Sequence, residues 1–171
     1  MKKLFALVLA LAVILAAVPA SALTVGGFVK LYNKAVGNGS PLYPDTALIS
    51  EPNKVWFLES DTRCQVAVLY NPVDGADPLN YPVTAACVIR RSNGSVGVFL
   101  NSINAAMAAL YPEIPEEERM AEITRSLIEG VRVRSYSDTW DESVYYVTTH
   151  MGLFTYQEKD GTQTFLAVYG E

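Results

Sequence analysis

The sequence predicts an α+β fold, an antiparallel sheet with helices packed on one face. Two kinds of segment give that class: helical spacing of apolar residues over 25–36 and 116–128, and β-branched or aromatic runs at 55–58, 64–70 and 144–169. Glycine-containing turn dipeptides, Asn93-Gly94 and Asp160-Gly161, lie between the runs.

The first helix follows from Val25, Phe28, Val29, Tyr32 and Val36, which fall on one helical face, with Thr24 placed to cap it and Gly37 to end it. Asn38-Gly39-Ser40-Pro41 is a loop, and residues 41 to 53, with three prolines, are irregular or a partial edge strand. Val55–Leu58 and Cys64–Tyr70 read as strands, followed by a long surface loop from Asn71 to Pro82. Ala85–Arg91 and Val96–Leu100 flank Asn93-Gly94, a hairpin signal because both central residues of a type I′ turn need positive φ. That hairpin would set Arg91 opposite Val96 and Ile89 opposite Val98.

A helix is expected over Ser102–Leu110, stopped by Tyr111-Pro112. Another begins at Pro115, with Glu116, Glu117 and Glu118 at the positive end of its dipole, Met120, Ile123, Leu127 and Ile128 inward, and Gly130 after it. The last forty residues read as a meander: Val131–Tyr136, Val144–His150, Leu153–Glu158 and Thr162–Tyr169. The Asp160-Gly161 turn sets Tyr156 across from Phe165. Each half therefore runs helix first and then about four strands. That order fits a pseudo-duplication or a single α+β domain over residues 23–171.

Lys2 and Lys3, the fifteen apolar residues from Leu4 to Val18, and the Ala20-Ser21-Ala22 pattern are the three parts of a secretory signal peptide over residues 1–22. Cleavage after Ala22 would leave 149 of the 171 residues, one domain's length. The expected product is a secreted bacterial protein, extracellular or in a periplasm-like space, with no stable membrane span after cleavage. Removing two lysines leaves 11 basic against 18 acidic residues, net −7. That balance argues against nucleic acid as a partner, which needs a basic footprint.

Cys64 and Cys87 both survive cleavage. An oxidising exterior favours a disulfide between them, worth about 3 kcal/mol in the chain-entropy model; the alternative is two buried free thiols.

The sequence has no Gly-rich phosphate loop, His-Glu-x-x-His, Cys-x-x-Cys or Gly-x-Ser-x-Gly, and its one histidine excludes two-histidine mechanisms. His150 reads as a strand-end histidine rather than a member of a triad with Ser143, Asp141 or Asp138. Asp74 and Asp77 are the candidate Ca²⁺ ligands, although aspartates in a loop usually serve turns. Arg132 and Arg134 alternate along one strand with Tyr136, and Arg90 or Arg91 could stand nearby in the sheet. Such a face suits an anionic or carbohydrate partner, or else is an outer face paired with carboxylates.

Phe28, Tyr32 and Asn33 in the first helix, Tyr111-Pro112 followed by Glu116-Glu117-Glu118, and Val144-Tyr145-Tyr146 followed by Gly152-Leu153-Phe154-Thr155 carry a resemblance. On these the chain resembles small exported proteins and lipoproteins of Gram-positive bacteria with no assigned activity, and departs from the lipoproteins in lacking the lipid-bearing Cys. The resemblance implies secretion and an α+β domain, with no catalytic residues to carry over.

The expected function is therefore a non-enzymatic binding or interaction module for a protein or a cell-envelope or host molecule, without a cofactor. The alternatives are a secreted hydrolase using carboxylates such as Asp138 and Asp141, or a structural or accessory envelope protein.

Overall fold

The computed structural model describes residues 23–37, 40–44, 48–50, 55–61, 64–130, 143–149, 152–159 and 162–169. In chain order the elements are α1 (Val25–Val36), β1 (Leu48–Ser50), β2 (Val55–Asp61), β3 (Cys64–Tyr70), β4 (Val83–Arg90), α2 (Val96–Leu110), α3 (Glu116–Gly130), β5 (Ser143–Thr149), β6 (Gly152–Lys159) and β7 (Thr162–Val168). The strands form one antiparallel sheet in the order β1-β2-β3-β4-β7-β6-β5. Each half contributes a meander, and the last strands of the two meanders meet at β4 and β7. The α+β class is as the sequence indicates.

The first helix is built as its spacing requires. Thr24 Oγ1 accepts a hydrogen bond from the Gly27 N–H at 3.1 Å, and all five apolar-stripe residues are buried. Gly37 ends α1 at φ 59°, where a Cβ would be strained. Asn33 then folds the following loop back: its amide donates to the Leu42 carbonyl at 2.9 Å and accepts from the Leu42 N–H at 2.7 Å, so Leu42 is buried against the helix.

Helices pack on one face of the sheet. Phe28 and Tyr32 of α1, Phe99, Ile103, Met107 and Leu110 of α2, and Ile123 of α3 share a core with Val66 and Val68 of β3, Ala86 and Val88 of β4, and Phe165 and Ala167 of β7. The aromatic pair expected from the second turn is present, since Tyr156 stands opposite Phe165.

Two expectations are corrected. Val96–Leu100 is not the second strand of a hairpin; it is the first turn and a half of α2, which starts six residues before the expected Ser102. Ser95 accepts from the Val98 N–H at 3.3 Å as the helix cap. The hairpin is also blocked by occupancy, because both edges of β4 are already hydrogen-bonded, to β3 and to β7. Ile89 consequently pairs with Gln65 and Thr164, not with Val98.

The disulfide is the second correction, since Cys64 and Cys87 are both free and buried. Cys87 stands opposite Ala67 on β3, three residues from Cys64. An odd offset along a strand puts the two side chains on opposite faces of the sheet, where no bridge can form. The expected strand over Val131–Tyr136 lies outside the described residues.

Replacing Phe165 by Ala, at the centre of the sheet, should cost about 3–5 kcal/mol in urea unfolding through the cavity it leaves. Replacing Gly37 by Ala should cost about 1–2 kcal/mol through its positive φ, although a Cβ there meets no atom within 4 Å.

Candidate functional site

Arg90 ends β4 on the helix-covered face, opposite Gln163 of β7 and Cys64 of β3. Its Nε donates to Gln163 Oε1 at 2.7 Å and its Nη1 to the Gly94 carbonyl at 2.6 Å. The Gly94 N–H in turn donates to the Arg91 carbonyl at 2.8 Å, and Ser95 caps α2 immediately after. One half-buried guanidinium thus ties the turn between β4 and α2 to the neighbouring strand. The fixed turn presents Arg91 outward, with Val96 53 % exposed at the start of α2. A cation and an apolar side chain on a preorganised turn form a surface that can receive an anion or a sugar ring at little ordering cost.

A second guanidinium is used internally. Arg119 on α3, only 9 % exposed, donates from Nε to Asn104 Oδ1 at 3.3 Å and from Nη1 to the Ile114 carbonyl. Asn104 Nδ2 donates to Glu116 Oε1 at 3.2 Å. The three side chains lock α2 to α3 across the Tyr111–Pro115 turn, with Arg119 and Asn104 buried and Glu116 at the exposed rim. Burial, with Tyr169 and Glu113 close by, pushes the Tyr111 hydroxyl up to about 12, and its ring meets Tyr169 edge-on at 6.1 Å.

A third polar group lies inside the core. Cys64 Sγ is 3.9 Å from Ser102 Oγ, and the Tyr32 hydroxyl faces both without closing a hydrogen bond of ordinary geometry. Burial pushes Tyr32 up to about 12, and burial does the same to Cys87 from 9.0. All three members of the Tyr32–Ser102–Cys64 group are at most 1 % exposed, so substrate has no route to them.

Of the residues singled out from the sequence, Arg91 is placed on the exposed turn. Asp74 and Asp77 lie in the exposed β3–β4 loop. There Asp77 Oδ1 accepts from the Leu79 N–H at 2.8 Å and opens a short 3-10 turn, the turn-forming use its residue type favours. Among the described residues no group of three or more His, Cys, Asp or Glu is placed to hold a metal ion. Arg132, Arg134, Tyr136, Asp138, Asp141 and His150 lie outside the described residues. Sequence reading weighed Arg90 only as a member of a binding face, not as an organiser, and missed Gln163, Asn104 and Arg119. Their one signal, the Glu116 to Arg119 spacing of one helical turn, is common on solvated helices.

Fold and site together define an α+β domain with a seven-stranded antiparallel sheet and a guanidinium-pinned turn at the end of its central strand. No family model matches the chain, and no curated protein or solved structure matches it either.

Tyr32, Tyr111 and Cys87 each hold their proton to higher pH in the folded protein than in the unfolded chain. Their contribution to stability is complete below the unfolded values, about 9 for the thiol and 10 for the phenols, and is lost as pH rises through about 12. Melting temperature should therefore hold to about pH 9 and fall between pH 9 and 12, with a shallower fall in Tyr32→Phe. At pH 7 that variant should be neutral or up to about 1 kcal/mol more stable, because it removes a buried hydroxyl lacking a good partner.

Proposed function

We propose that this protein is an exported, non-enzymatic binding module whose partner is an anionic or carbohydrate molecule of the cell envelope or of a host. The observation that supports this reading is the Arg90-pinned turn, which holds Arg91 and Val96 outward in a fixed arrangement. In the same reading Arg132, Arg134 and Tyr136 extend the receptive surface. A protein of net charge −5 has few cations to present, so one fixed on an exposed turn is a specific feature of its surface. The Lys-led apolar leader and Ala20-Ser21-Ala22 supply the route out of the cell.

Thermal unfolding against a panel of anionic and neutral envelope glycans tests the reading. A ligand at about 100 times its Kd adds about 2.7 kcal/mol and raises the midpoint by several degrees. Arg91→Glu should abolish that shift and leave the unliganded midpoint within about a degree, because Arg91 is exposed. Arg132→Glu with Arg134→Glu should weaken it. A ligand shift that Arg91→Glu leaves intact removes the turn from the site, and no shift across the panel counts against a glycan partner.

A further inference from the structure

Asn93-Gly94 signals a hairpin that the fold does not build, yet the dipeptide has a chemistry of its own. Glycine has no Cβ to screen its amide nitrogen. When it follows an asparagine, that nitrogen can reach the side-chain carboxamide carbon and close a five-membered imide ring. The dipeptide stands where water reaches it. Arg91, Ser92 and Asn93 are exposed, and the Gly94 N–H donates to the Arg91 carbonyl at 2.8 Å, which makes residues 91–94 a four-residue surface turn.

Two hydrogen bonds oppose ring closure. The nucleophile is the Gly94 nitrogen stripped of its proton, and the Arg91 carbonyl holds that proton in place. Closure also swings the Gly94 peptide toward the Asn93 side chain, whereas Arg90 Nη1 holds the Gly94 carbonyl at 2.6 Å. Arg90 is itself anchored, since it ends β4 and its Nε donates to Gln163 Oε1 on β7 at 2.7 Å. The turn therefore cannot rotate into the reactive geometry without breaking a hydrogen bond from a charged donor, which favours the closed form about ten-fold or more.

We propose that Asn93-Gly94 is a self-modification site that the Arg90 clamp keeps slow, and that its conversion lowers the positive charge of the receptive turn. The Gly94 nitrogen attacks Asn93 Cγ and forms the new N–C bond. Its proton goes to the departing amide, the Cγ–Nδ2 bond breaks, and ammonia leaves. Water then opens the imide at either carbonyl, giving aspartate or its β-linked isomer. Both products carry a carboxylate that is ionised at neutral pH. The two guanidinium charges of Arg90 and Arg91 then become a net charge of one on the turn. The aspartate product lies two residues before Ser95, the cap of α2, where the helix dipole favours negative charge. The isomer adds a carbon to the backbone between Arg91 and Ser95 and breaks the turn. The effect on binding rests on the turn being the receptive surface proposed above, whereas the conversion does not.

The 171-residue protein is incubated at pH 8 in buffer and in urea, and conversion is followed by peptide mass as an amide nitrogen is exchanged for oxygen. Asn38-Gly39, the other such pair in the chain, is the internal reference. Asn93 should convert at least about ten-fold more slowly in buffer than in urea. Arg90→Gln should recover most of that factor at Asn93 and leave the rate at Asn38 unchanged. Equal rates at Asn93 in buffer and urea overturn the proposal, as does an Arg90→Gln protein that converts Asn93 no faster or speeds both pairs alike. Asn93→Asp reads the consequence separately: it should lessen the glycan-induced rise in melting midpoint that Arg91→Glu abolishes, and full retention of that rise overturns the charge effect. A panel with no ligand shift fails the binding reading alone, and the conversion rates still decide whether the clamp protects Asn93.

Discussion

Six residue pairs, from Ala85 with Val168 to Arg90 with Gln163, join β4 to β7 and make one sheet of two meanders. The rest of the architecture depends on that pairing. It fills the second edge of β4, which turns the chain after Arg90 into a helix instead of a hairpin. It places Val88 beside Phe165 at the centre of the main core. It also continues past the strand ends, where the Tyr169 N–H donates to the Thr84 carbonyl at 2.8 Å. Contacts between residues some eighty positions apart carry a large loop-closure cost, so the local meanders, α2 on β4 and α1 on α2, must supply structure that favours the pairing.

Several polar groups inside this fold are managed by pairing them with one another, the Tyr32 hydroxyl being an exception. Arg119, Asn104 and Glu116 close the corner between α2 and α3, and Asn33 clamps Leu42. Arg90 differs in kind, because its guanidinium binds a turn that faces solvent. An internal hydrogen bond there has an external consequence, the fixed display of Arg91 and Val96. The i,i+3 ion pair of Glu122 with Arg125 at 2.7 Å is partly exposed and contributes little to stability.

Both faces of the central strands are apolar, and the cysteines mark the difference between them. Cys64 lies under the helices beside Ser102, whereas Cys87 lies on the far face among alanines and leucines. A parallel can be drawn with strands of fully covered sheets, which read as continuous apolar runs. Cys64–Tyr70 and Val83–Ile89 have that composition, whereas a strand with one wet face would alternate. The burial of both faces is therefore written into these two strands, but the identity of what covers the second is a matter of chain geometry.

Local chemistry alone determined much of this protein. Thr24 and Gly37 set the limits of α1 and the apolar stripe set its buried face, because caps and helical period act within a few residues. Tertiary structure decided what local chemistry left open. Asn93-Gly94 is as good a hairpin signal as Asp160-Gly161, yet the edge it would have used was taken by β7, a strand some seventy residues away. Cys64 and Cys87 suit a bridge by count, and only the pairing of Cys87 with Ala67 puts them on opposite faces. Arg90, Gln163, Asn104 and Arg119 likewise carry no local signature, since their roles exist only where distant elements meet. Short-range patterns fix elements; which edges and faces remain free is settled by the whole sheet.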